Sequence, residues 1–203
     1  LAAAPKDSSK AVSVQNDIRT QLMKAGRPAY VEEKFVSFEE ACTLILELGG
    51  IPCYPVLADG ASPICPFEQS VDDLIASVRE RNIHCVEFIP ARNDAAVLER
   101  YVTTMRRAGL VVTAGTEHNT LDMFPLTPRC RGGRVLPAEV ERIFREGACV
   151  AVAHEALALS GKTGFVDSTG ALSTAFGGRD ELIKAMAQIG ALLVERAAAK
   201  RGG

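Results

Sequence analysis

The sequence has no tryptophan, and aromatic residues make up only 5% of its 203 residues. It also lacks an excess of one charge, because 23 basic and 25 acidic side chains leave a formal net charge of −2. A nucleic-acid-binding protein usually presents a basic stripe, often with aromatic side chains on which bases stack. These absences argue against a nucleic-acid partner.

Long apolar runs and paired cysteines are missing as well. No run reaches the roughly 20 residues that span a bilayer, which excludes an integral membrane protein. Residues 1–7 lack Met and a basic segment before an apolar core, so they predict no signal peptide and indicate a piece of a longer protein. The six cysteines show no C-x-x-C pair, and Cys42, Cys85 and Cys149 lie in apolar segments, as reduced core thiols do. We therefore expect a cytoplasmic protein without a disulfide framework.

The chain is rich in core-forming material, with 47% hydrophobic and 24% charged residues. Its pattern divides it into three parts. The predicted parts are an N-terminal arm with a short helix (1–35), a β/α portion (36–125), and a loop followed by a C-terminal helical region (126–203).

Three helix-then-strand units follow one another in the middle part. The first begins at Ser37, an N-cap with Glu40 at the third helical position. Near-continuous apolar strands separated by helices are typical of a parallel sheet covered by helices. We predict an α/β fold, either a doubly wound sheet or a partial (β/α) barrel-like parallel sheet. The predicted strands are 51–57, 83–89 and 110–114.

The last part begins with a long loop, predicted over 117–136, which is rich in Pro, Gly and Arg and long enough to be functional. Its arginines, Arg129, Arg131 and Arg134, are either solvated or a clamp for a phosphate or carboxylate. Helical patterns follow over 137–160 and from Asp180 onward.

Polar side chains follow each predicted strand. Ligands of parallel α/β folds bind at the carboxyl ends of the strands, so these residues are expected on one rim. Oxygen and imidazole ligands of this kind suit a divalent metal. The predicted ligands are Asp59, Glu87, Glu117, His118 and Asn119, with Asp59 and Glu117 as the catalytic pair.

Arg92 and Asn93 follow the second strand and are predicted to contact a substrate. His84 lies within a strand pattern and His154 within a helix pattern, and both are expected to be structural.

Several of these stretches resemble the second half of a PHP (polymerase and histidinol phosphatase) domain, over about residues 36–125. The resemblance implies a distorted (β/α) barrel with metals at the strand ends and, in most members, hydrolysis of phosphoesters. The stretches are Gly49-Gly50-Ile51-Pro52, Leu57-Ala58-Asp59-Gly60, Val86-Glu87-Phe88 and Ala114-Gly115-Thr116-Glu117-His118-Asn119.

The chain departs from the family pattern at three places. It has Asp59 where the family has a His ligand, and Glu117 and Asn119 where the family has Asp and His. The His-x-His of the family's first strand is absent. The resemblance therefore implies the C-terminal portion of a hydrolase that uses zinc, manganese or iron on a phosphoester or related small molecule, with feeble activity in this chain alone.

Two other functions use the same rim. One is a (β/α)-barrel isomerase or aldolase for sugars or carboxylates, with the acids transferring protons. The other is a non-catalytic remnant that binds a ligand. A slice of a parallel sheet leaves strand edges open, so we expect the chain to form a homo-oligomer or to dock onto its missing N-terminal half.

Overall fold

Helices and strands alternate through the first half of the chain in a computed structural model that describes residues 8–57, 64–116 and 126–201. The helices are α1 (Ser8–Ile18), α2 (Phe38–Glu47), α3 (Val71–Glu80), α4 (Ala95–Arg107), α5 (Ala138–Leu159) and α6 (Arg179–Arg201), and the strands are β1 (Cys53–Pro55), β2 (Cys85–Phe88) and β3 (Val111–Ala114). Shorter turns are a π-helical turn at Arg19–Met23 and 3-10 turns at Pro66–Glu68, Pro90–Arg92 and Arg131–Gly133.

The three strands form one parallel sheet in the order β1-β2-β3, and within the described residues this sheet does not close. Cys53 pairs with Cys85, which pairs with Val111. The mixed α/β class and the parallel sheet are thus confirmed. The strands are shorter than predicted, and β1 is shortest because proline at positions 52 and 55 offers no N–H for pairing.

Each face of the sheet is covered by helices. Val86, Phe88 and Val112 pack into a core with α3 and α4. Cys85 and Val111, on the opposite face, pack into a second core with α5 and α6. The strands are therefore buried between two helical layers, which explains their nearly continuous apolar pattern.

The helix boundaries follow local chemistry. The predicted cap of α2 is present, since Ser37 Oγ accepts from the Glu40 N–H at 3.1 Å and the Glu40 carboxylate accepts from the Ser37 N–H at 2.7 Å. The helix predicted over 137–160 forms as α5, and the final helix forms as α6. The first helix spans Ser8–Ile18, within the predicted N-terminal arm.

Both histidines expected to be structural are buried. His154 Nδ1 accepts from the Phe165 N–H, and its Nε2 lies 3.0 Å from the Gly49 carbonyl oxygen. His84 Nδ1 lies 3.2 Å from an Arg179 guanidinium nitrogen. All six cysteines are free thiols. Across the described ranges, no helix is long and apolar enough to cross a membrane.

Candidate functional site at the carboxyl edge of the sheet

The carboxyl ends of the three strands share one edge of the sheet. Pro55, Glu87 and Thr113 lie in register across it. The chain therefore leaves β1 at Leu57 and β3 at Thr116 from the same edge, which supports the geometry from which the rim was predicted. Of the five predicted metal ligands, Glu87 lies within the described residues. Asp59, Glu117, His118 and Asn119 lie outside them.

Glu87 occupies a space that its neighbour leaves open. Its half-buried side chain lies beside Gly115, where a Cβ atom would come within 2.6 Å of Glu87 Oε1 and 2.9 Å of its Cδ. Within the described part of the chain, the carboxylate makes no hydrogen bond and no ion pair. Its oxygens are not among the fully buried atoms that lack a partner, so the carboxylate stays accessible to solvent and to a cationic ligand.

Thiols lie on the same face, next to Glu87. The pKa of Cys85 is raised well above its usual value, first by a hydrogen bond with Cys53, then by burial and by the charges of Cys53 and Glu87. Cys85 therefore stays protonated at neutral pH. The Cys85 thiol is therefore an uncharged neighbour of Glu87 and a poor metal ligand, because cysteine binds metals as the thiolate.

Glu68 is a second acid at this edge, and sequence reasoning missed it. It is completely buried, and its Oε1 accepts from the Leu57 N–H and the Tyr54 hydroxyl, both at 3.1 Å. The Tyr101 hydroxyl donates to its backbone carbonyl at 3.0 Å. Its Oε2 is buried with no hydrogen-bond partner among the described residues. Glu68 thus holds the backbone at Leu57, between the end of β1 and the segment that contains Asp59.

The environment of Glu68 also affects Tyr54. Burial, followed by the charge of Glu68 and the hydrogen bond to it, raises the pKa of Tyr54. Tyr54 therefore remains a hydrogen-bond donor at neutral pH. In the sequence, Glu68 looks like any acid in a loop before a helix, and only its neighbour Phe67 hints at burial.

The turn after β2 carries the two predicted substrate contacts. Asn93 is buried, its side-chain amide donates to the Ile89 carbonyl at 2.9 Å, and its own carbonyl accepts from the Arg131 N–H at 2.9 Å. The Arg131 guanidinium donates to the Arg92 carbonyl and lies 3.4 Å from Asp94. Asn93 thus braces the turn, while the Arg92 side chain is exposed at the rim. Substrate contact by either residue stays a prediction.

A pocket of about 210 Å³ opens at the same edge. Its walls are the turn at Pro90 and Ala91, the exit of β3, and residues 127–133. Among the described residues that line it, Arg129 is the one with a charged side chain. A cleft at the carboxyl edge of a parallel sheet is the usual place for a small ligand in this architecture.

No cluster of three His, Cys, Asp or Glu side chains able to hold a metal is present within residues 8–57, 64–116 and 126–201. Four of the five predicted ligands lie outside these ranges. No family model, no curated protein and no solved structure matches this chain. The resemblance to the PHP domain therefore depends on the sequence motifs alone and stays a prediction.

Proposed function

We propose that this chain is the C-terminal portion of a PHP-like, metal-dependent hydrolase that acts on a phosphoester or a related small molecule. The observation that carries the proposal is Glu87. It is a strand carboxylate at the carboxyl edge of a parallel sheet, it has no partner in the described residues, and the missing side chain of Gly115 leaves room for it. Such a carboxylate is available to a divalent cation, for which carboxylate oxygen is an established ligand.

The donor set fits a divalent ion. Glu87 would hold zinc, manganese or iron together with Asp59, Glu117, His118 and Asn119, since carboxylate, imidazole and amide oxygen are established ligands of such ions. When bound, the ion supplies Lewis-acid chemistry and lowers the pKa of a water molecule toward neutrality.

We assign a separate role to each of these residues. Asp59 and Glu117 are the catalytic acids of the rim. Glu68 holds the Leu57 amide and so positions the segment that leads to Asp59. Arg92 is exposed in the turn whose Pro90 and Ala91 line the pocket, and we assign it to substrate contact.

The finer fold that we propose is a slice of a (β/α) barrel. Three parallel strands make up the described sheet, and the sequence lacks the His-x-His of the family's first strand. We expect the chain alone to be a feeble catalyst, with full activity requiring a docked N-terminal half.

Metal uptake tests the proposal. We would strip the full chain with a chelator, titrate it with Mn²⁺ or Zn²⁺, and compare Glu87→Gln and Glu117→Ala with the control Glu99→Gln, an exposed acid on α4. The wild type and the control should bind an ion, and each rim variant should bind it about tenfold more weakly or worse. Equal metal content in all four proteins would overturn the proposal.

A substrate screen separates the proposed hydrolase from the alternatives. Weak, metal-dependent turnover of phosphoesters supports a hydrolase, and turnover confined to sugar acids supports an isomerase or aldolase. Metal binding with no turnover in either panel, even after the N-terminal half is supplied, supports a ligand-binding remnant.

A further inference from the structure

The pocket at the carboxyl edge has one distinctive feature, which is its charge. Pro90, Ala91 and Pro128 supply apolar walls, and Arg129 supplies the charged side chain among the described lining residues. Thr116 and Thr127 line it as well, so the pocket combines apolar walls with two threonines and one guanidinium, which suits a small ligand with an anionic end.

Arg129 lines the pocket with most of its hydrogen-bond donors unused among the described residues. Its hydrogen bond to the Gly133 carbonyl, at 3.5 Å, is at the outer limit for such a bond. Arg131, by contrast, donates to the Arg92 carbonyl and pairs with Asp94, and so ties the loop to the turn after β2. Arg131 therefore holds the loop in place, whereas the Arg129 guanidinium has donors left for a ligand.

The backbone beside Arg129 is open toward solvent. Gly132 and Gly133 both have left-handed conformations, with φ of 70° and 75°, and a Cβ atom on either would meet nothing within 4 Å. Glycine is thus required at both positions by the left-handed backbone and not by crowding. The space beside the two glycines is open to a ligand. Residues 129–133 form what we call the arginine-glycine loop.

We infer that the arginine-glycine loop binds the phosphoryl group of the substrate, with the Arg129 guanidinium as its principal ligand. Guanidinium groups pair with phosphoryl oxygens through two parallel hydrogen bonds, which a lysine cannot reproduce. A pocket of about 210 Å³ holds a phosphoryl group and a few further atoms, so the substrate is a small phosphoester rather than a nucleotide. This inference rests on the proposed function and names the part of the site that recognises the substrate.

Phosphate binding by metal-free protein tests the inference. We would titrate the full chain with inorganic phosphate in the presence of a chelator, follow the heat of binding, and compare Arg129→Ala and Arg129→Lys with the control Arg134→Ala. Arg134 carries the same charge in the same segment but does not line the pocket. A parallel titration with acetate shows whether any carboxylate binds equally well.

The expected result is that Arg129→Ala weakens phosphate binding about tenfold or more, that Arg129→Lys falls in between, and that Arg134→Ala changes it less than about twofold. Equal weakening by the Arg129 and Arg134 variants would mean a diffuse charge effect and would overturn the inference. Binding of acetate as tight as that of phosphate, or no phosphate binding by the wild type, would overturn it too.

Failure of the phosphoryl subsite is distinct from failure of the proposed function. The phosphate titration contains no metal, whereas the metal titration of Glu87→Gln contains no phosphate. Unchanged phosphate affinity in Arg129→Ala together with lost metal affinity in Glu87→Gln would remove only the phosphoryl subsite. The reverse pattern would leave an anion pocket without a metal centre.

Discussion

Glu87 on β2 lies beside Gly115, the residue that follows β3, and the absence of a side chain at Gly115 leaves room for the Glu87 carboxylate. The atom nearest to a Cβ at position 115 is the end of a flexible carboxylate, not backbone. A larger residue would therefore displace the carboxylate and leave the sheet intact.

This contact predicts that Gly115→Ala separates binding from stability. We expect the free energy of unfolding to change by less than about 1 kcal/mol, because the Glu87 side chain can rotate away. Affinity for Mn²⁺ should fall about tenfold or more, because the carboxylate no longer occupies its position. Urea unfolding and a metal titration on the same sample measure the two effects. Unchanged Mn²⁺ affinity would argue against Glu87 as a ligand.

His84 makes the free energy of unfolding depend on pH. Burial, and next the charge of Arg179, lower the pKa of His84 from 6.5 to about 4, against a smaller raising effect of a hydrogen bond with the Gly170 backbone. Arg179 itself faces Arg79. Both arginines keep their charge throughout the acidic and neutral range, so His84 is the group of this cluster that titrates.

The direction of the effect follows from linkage. Between pH 6.5 and 4 the unfolded chain binds a proton at His84 that the folded chain does not bind, so the free energy of unfolding falls as the pH falls through this window. The loss should reach roughly 2–3 kcal/mol near pH 4 and then level off. Urea unfolding from about pH 7 to about pH 4 measures it, and the curve of His84→Gln should be flatter by this amount. Parallel curves for the two proteins would contradict the assignment.

At the scale of elements, the sequence predicted what local chemistry determines. The Ser37–Glu40 cap, the order of the β/α units and the range of α5 could all be predicted from the sequence, since capping and apolar periodicity act within a few residues. The burial of Glu68 could not be predicted, because it depends on contacts with Tyr54 and Tyr101, which are 14 and 33 residues away. The pocket depends on segments far apart in sequence in the same way.

The contact between α5 and β3 is another element-scale feature that periodicity did not show. Gly147 of α5 lies directly against the Val112 carbonyl, and a Cβ there would overlap that backbone atom. The absence of a side chain thus lets the helix approach the strand closely.

Gly147→Ala should therefore separate α5 from β3 and lower the free energy of unfolding by roughly 2–3 kcal/mol, despite the better helix propensity of alanine. Chemical denaturation gives the value, and Ala148→Ser, an exposed substitution one residue further along, is the control and should cost less than about 0.5 kcal/mol. A stabilised Gly147→Ala protein would show that the helix does not pack as described.

The whole molecule leaves an apolar surface uncovered before and along α2, none of whose residues is buried. Phe35 is 82% exposed and Leu48 is 79% exposed. Exposed apolar surface of this kind is normally covered by another chain or another part of the same protein. The apolar surface consists of Val31, Phe35, Val36, Phe38, Leu44 and Leu48.

We expect the 203-residue chain to form a dimer or larger assembly at micromolar concentration, burying more than about 1,000 Å². Light scattering measures the mass. Phe35→Glu should shift it toward the monomer, because a charge would be buried at the interface. Leu159→Glu, at an equally exposed leucine at the end of α5, should leave it unchanged. A monomeric wild-type chain would contradict this prediction.

The central claim is that a divalent ion binds at the carboxyl edge of the sheet through Glu87. Anomalous scattering from crystals of the full chain grown with Mn²⁺ tests it most directly. We predict an anomalous peak about 2.2 Å from a Glu87 carboxylate oxygen, beside Gly115. A well-ordered Glu87 with no peak near it, at saturating Mn²⁺, would contradict the claim.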